Sequence, residues 1–115
     1  MRASDLMFGD WVNYLGKPTR INGAVDFTRA KDFEPIPLTA EILEKNGFRK
    51  GSYIGGYYYP LFTFRVIPTT RDMDSYFDKV EMIEDVVFYH CRYVHELQHA
   101  LRLCGLNELA DNLII

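Results

Sequence analysis

The 115 residues are 48% apolar and 15% aromatic, which suits one compact domain over 1–115 with a sizeable core and leaves too little chain for a second. No run of about eighteen apolar residues is present to cross a bilayer, and the opening MRASDLMFGDWVNY lacks the apolar stretch of a secretory signal. A cytoplasmic protein without a membrane partner is therefore expected. The net charge of −3 divides into +3 over residues 1–71 and −6 over residues 72–115, without the strong basic surplus that neutralising several phosphates requires. Nucleic acid is accordingly not the expected partner.

From residue 10 to 28 the pattern is a β-meander: DWVNY, then LGKP, then TRI, then AVDF after Asn22-Gly23, a pair suited to the positive φ values of a two-residue hairpin turn. FEPIPLTAEILEKNGF is a loop-to-helix entry. Pro35 and Pro37 keep helix from starting early, Thr39 caps, Glu41 lies near the positive dipole end, and Gly47 takes the left-handed terminal position. A helix over 40–46 follows, with Ile42 and Leu43 facing the core.

In SYIGGYYYPLFTFRVI, Gly55-Gly56 marks a turn between aromatic runs, and the alternation of LFTFRVI puts Phe62, Phe64 and Val66 on one face of a strand. These strands are expected to join the first meander in one antiparallel sheet. PTTRDMDSYFDKVEMIED is polar and acidic and is expected to form a loop with one helical turn at most. DVVFYHCRY predicts a strand over 85–91 and the stretch after it a helix over 93–104, ended by Gly105. The two cysteines, Cys91 and Cys104, form neither a C-x-x-C pair nor a disulfide framework and are expected to be buried reduced thiols.

The C-terminal helix carries H-E-x-x-H as His95, Glu96 and His99. On a helix, residues i and i+4 share a face, so His95 and His99 have the spacing to hold zinc while Glu96 serves as general base toward a bound water. The apolar stripe of Val94, Leu97, Leu101 and Cys104 leaves both histidines off its centre, facing away from the core. A catalytic zinc needs a third protein ligand, and the usual continuation fails: Arg102 and Gly105 stand three and six residues after His99. Only His90 upstream and Glu108 or Asp111 downstream remain as sources, so zinc hydrolysis is an alternative and the expected protein has no cofactor.

Three blocks, ASDLMFGDWVNYLGKPTRINGA, FEPIPLTAEILEKNGF and YVHELQHALRLCG, resemble small uncharacterised bacterial proteins that travel with phages and mobile elements. The blocks cover about half of the chain, and the family has no established activity to carry over. The resemblance implies that Gln often stands where Glu96 is and a non-ligand where His99 is, which argues against peptidase chemistry. It implies instead a packing or hydrogen-bonding role for YVHELQ, with His95 fixing the junction between the last strand and the helix.

The aromatic cluster GGYYYPLFTF lacks interleaved Lys or Arg and reads as packing before it reads as a base-stacking platform. The acidic set Asp72, Asp74, Asp78, Glu81, Glu84 and Asp85 lacks the glycine and ligand order of a calcium loop and reads as a solvated face. No nucleophile elbow, phosphate loop or dinucleotide fingerprint occurs. The expected architecture is α+β: an antiparallel sheet, with closure into a small, partly open β-barrel as an option, and helices near 40–46 and 93–104. The expected function is that of a non-enzymatic binding or accessory module with a protein partner or a second copy of itself. A zinc-dependent hydrolase using His95, Glu96 and His99, and a nucleic-acid-binding small barrel, are the alternatives.

Overall fold

The computed structural model describes residues 1–23, 28–51, 56–59, 64–68, 77–82, 87–89 and 91–115. Its described residues form antiparallel sheets and α-helices, so the α+β class holds. The chain divides into two compact units, Met1–Pro37 with Tyr93–Leu113, and Leu38–Arg92 with Ile114–Ile115.

In the first unit, β1 (Trp11–Tyr14) and β2 (Lys17–Arg20) make a hairpin paired from Trp11↔Arg20 to Tyr14↔Lys17. Its two-residue turn is Leu15-Gly16, with φ of 50° and 80°. Positive φ at both central positions gives a twist that matches the flanking strands, and Gly16 takes its share of it without steric cost. The tight turn is therefore at Leu15-Gly16. The turn expected at Asn22-Gly23 led to AVDF, which lies outside the described residues. The third strand of this sheet, β3 (Phe33–Glu34), pairs with the other edge of β1, giving the order β2-β1-β3. Leu6, Val12, Ile21, Ala30 and Phe33 form the core under it, and Tyr14 meets Phe33 edge to face at 5.6 Å.

Among its described residues this unit also carries the helices α2 (Val94–Leu103) and α3 (Asn107–Asp111). Val94, Leu97 and Leu101 are fully buried along α2, as the apolar stripe predicts. Gly105, at φ +79°, ends α2, and the chain turns back through a bond from Leu106 N–H to the Leu101 carbonyl at 2.8 Å.

The second unit contains α1 (Ala40–Lys45), whose Thr39 hydroxyl accepts from Ile42 N–H at 3.2 Å and whose Ile42 and Leu43 are buried. Gly47 follows at φ +87°, as the helix-stop reading requires. A sequential antiparallel meander then runs β4 (Arg49–Lys50), β5 (Tyr57–Tyr59), β6 (Phe64–Pro68), β7 (Phe77–Met82) and β8 (Val87–Tyr89). Gly56 accepts from Gly51 N–H across the base of the β4–β5 hairpin, while Gly55 lies outside the described residues.

Three expectations are corrected. The strands of this second unit form their own sheet in place of joining the first one. Neither sheet closes into a barrel: β4 and β8 stand at opposite ends of the five-strand order and do not pair. Residues 77–82, expected in a loop, are β7, with Val66 opposite Val80 and Arg65 opposite Glu81. The acidic side chains hid a period-two alternation, K-V-E-M, that is itself a strand signal.

Candidate functional site

The C-terminal helix brings together residues that the sequence holds far apart. At its start, Tyr93 is extended (φ −121°, ψ 155°) and its N–H donates to Glu96 Oε1 at 3.1 Å. Glu96 thus occupies the third helical position and reaches back over the first turn, a use of Glu that stabilises helix starts by satisfying an otherwise orphaned donor. The proposed general base is spent on the helix cap.

One turn further, Gln98 is fully buried. Its Oε1 accepts from Trp11 N–H at 2.9 Å, and its Nε2 donates to the carbonyls of Gly9 at 2.9 Å and Ala110 at 3.1 Å. The Trp11 donor fixes which end of the amide is oxygen. Gln98 thereby ties the start of β1, the loop before it and α3 to one side chain.

Beside Gln98 lies Asp10, a carboxylate with no solvent exposure. Its Oδ2 accepts from Met7 N–H at 2.8 Å and lies 2.6 Å from His99 Nε2, while its Oδ1 accepts from Arg102 Nη1 at 2.7 Å. Removing a carboxylate from water costs several kcal/mol unless opposite charge and hydrogen bonds compensate. Here a guanidinium, an imidazole and a backbone amide do so. Arg102 continues to Asp111 at 3.4 Å, and Arg20 donates to the Gly9 carbonyl while lying 5.3 Å from the Trp11 ring centre. Gly9 is favoured at its position by its φ of +88°, which L side chains rarely adopt.

His95 is also buried, at 7% exposure, which corrects the expectation that both histidines face away from the core. The helix buries a face wider than its apolar stripe, because Gln98 is inside with Leu97 and draws the neighbouring flank inward. The His95 ring stacks on Tyr93 at 6.0 Å and meets the His99 ring edge-on at 5.6 Å, and its Nδ1 is buried without a hydrogen-bond partner. Burial above all, and then His99, lower the His95 pKa to about 4 against the opposing pull of Asp10 and Asp5. At neutral pH this imidazole is uncharged.

His95 and His99 line a cleft of about 510 Å³ together with Ser4, Asp5, Tyr93 and Glu96. The residues named by the H-E-x-x-H spacing do meet at one concavity, but no third ligand gathers with them among the described residues. The Nε2 of His99 is engaged by a buried carboxylate, and Glu96 serves the cap. Glu108 lies exposed on α3, His90 lies outside the described residues, and among the described residues no three His, Cys, Asp or Glu side chains gather as metal ligands do. Of the thiols, Cys91 is buried and Cys104 only half-buried, and burial pushes the Cys104 thiol up, away from reactivity.

Asp10, Gln98 and Arg102 are the residues that sequence reasoning missed. One signal was on the page: polar residues at 98 and 102 border the apolar positions 97 and 101, and G-D-W opens the first strand. Comparison with family models, with curated proteins and with solved structures returns no match.

Proposed function

We propose that this chain is a non-enzymatic binding module of the phage- and mobile-element-related kind that its three sequence blocks resemble, working in the cytoplasm through protein contacts. The observation that supports this reading most strongly is the engagement of Glu96 by Tyr93 N–H at 3.1 Å. A hydrolase built on H-E-x-x-H needs that carboxylate free for water. Here it caps the helix that carries it.

A surface suited to contact lies in the same unit. Phe8 is 61% and Met7 44% exposed, and both border a concavity of about 550 Å³ with Leu6, Arg102, Asn107 and Asp111. Large apolar side chains grouped beside charged ones are a common composition for protein-binding surfaces.

The test is a hydrolysis assay. Purified protein loaded with one equivalent of zinc is incubated with peptide, ester and amide substrates beside its Glu96→Gln variant. The binding-module reading expects identical backgrounds from the two proteins. A reproducible activity that disappears in Glu96→Gln would overturn it.

A further inference from the structure

Strand register assembles on the five-strand sheet a row of residues that the sequence scatters. Arg49 pairs with Tyr58, Tyr58 with Arg65 and Arg65 with Glu81, and residues directly opposite one another on paired strands share a sheet face. Tyr57 and Tyr59, the neighbours of Tyr58 along β5, belong to the other face. That other face is the packed one. Tyr57 and Val66 are buried, the Tyr57 hydroxyl donates to Glu44 of α1 at 3.3 Å, and the Tyr59 and Phe48 rings lie 5.3 Å apart. Tyr58 is 37% exposed and Arg49 is exposed, so the row begins on the open face.

The next row on that face holds Ile67, Lys79 and Tyr89 by register. Among the paired positions of the face, three cations, Arg49, Arg65 and Lys79, stand against one acid, Glu81. The chain's net charge of −3 averages over this sorting. Along the chain the tyrosine run has no interleaved cation, but the two neighbouring strands supply one on each side of Tyr58. Paired strands lie about 4.8 Å apart, so both arginine positions are within one side-chain length of the tyrosine position.

This combination selects its occupant. A tyrosine ring offers a stacking surface to any unpaired base, and arginine is suited to the phosphates on either side of that base. A single strand presents free base faces and phosphates together. A duplex keeps its bases stacked on one another, and an acidic peptide would use the cations alone. We propose that the open face of the five-strand sheet binds single-stranded nucleic acid, with a base on Tyr58 and phosphates at Arg49 and Arg65. This partner goes beyond the protein contacts of the binding-module reading, and its test is independent of hydrolysis.

The experiment follows the fluorescence anisotropy of labelled oligo-dT and oligo-U of about ten nucleotides, a length within the usual site sizes, as intact protein is added at low salt and across a salt series. A duplex of equal length and an oligo-glutamate peptide are the comparison probes. Both single strands are expected to bind saturably, with log affinity falling against log salt at a slope of about −1 to −2, as two or three phosphate contacts give. A preference between the two names the sugar. Tyr58→Leu should weaken binding at least about five-fold while Tyr58→Phe preserves it. Arg49→Gln, at an exposed edge position, should weaken binding and make the salt slope shallower by about 0.7. If Tyr58→Leu does not fold, as circular dichroism would show, Arg49→Gln and the comparison of probes decide. The proposal is overturned by failure of both single strands to bind saturably, by unchanged affinity in Arg49→Gln or in folded Tyr58→Leu, or by the duplex or the peptide binding as tightly as the single strands.

Discussion

The two units of this chain are held by different means. All three buried polar or charged residues among the described ones, Asp10, His95 and Gln98, belong to the unit of Met1–Pro37 and Tyr93–Leu113. The other unit is organised by strand register and by buried apolar side chains such as Leu43, Phe48 and Val66, with Thr39 capping its helix and the Phe48 and Tyr59 rings 5.3 Å apart. Apolar packing is tolerant of partner, whereas a buried carboxylate or amide accepts only the geometry that satisfies it. In the first unit, segments about ninety positions apart, such as Trp11 and Gln98, are joined by bonds of this selective kind. A short motif with catalytic spacing can therefore be a fastening that resembles a site.

The sharpest way to break the contrast is to remove the buried carboxylate. Asp10→Ala leaves Arg102, His99 and the Met7 amide without their shared partner, and should cost about 3–5 kcal/mol in urea unfolding followed by the single tryptophan, Trp11. A loss under about 1 kcal/mol would show that the network is solvated and dispensable. In the other unit the comparable blow is a cavity. Leu43→Ala, at a fully buried position, should cost about 2–5 kcal/mol by circular dichroism, the spread depending on how far the site collapses.

A smaller effect comes from pH. The folded pKa of His95, about 4, lies below its ordinary 6.5, so above pH 6.5 the residue is neutral in both folded and unfolded chains. Between 6.5 and about 4 the unfolded chain takes up a proton that the folded protein refuses, so this contribution to stability falls as pH drops through that window. His95→Phe should flatten the decline between pH 6.5 and 4.5. An unchanged pH profile in that variant would mean that the imidazole is hydrated. The smallest effect belongs to Glu96→Gln. The amide oxygen keeps the bond from Tyr93 N–H, so stability should change by less than about 0.5 kcal/mol. A loss several times larger would assign the carboxylate a charge-dependent role beyond the cap.

Local signals were legible where local chemistry decides the outcome. Thr39, Ile42, Leu43 and Gly47 take the capping, burial and termination roles that the sequence assigns, and Gly105 ends the last helix. What was not legible depended on long-range partners. The strand β7 pairs with β6 across residues 64–68, and its acidic residues masked the alternation that marks it as a strand. At the candidate site, H-E-x-x-H was visible and the partner of its second histidine was not. That partner is Asp10, 89 positions from His99, and no helical projection contains it. The projection also placed His95 outside, because it weighed apolarity alone and missed that Gln98 is fully buried.

The central claim is that His99 fastens its helix to the buried Asp10 carboxylate. The most direct test is a double-mutant cycle of Asp10→Asn and His99→Ala, with unfolding followed by Trp11 fluorescence in the presence of a chelator. A coupling energy of at least about 1 kcal/mol is the expected result for a direct contact between the two side chains. Independent, additive losses would contradict it.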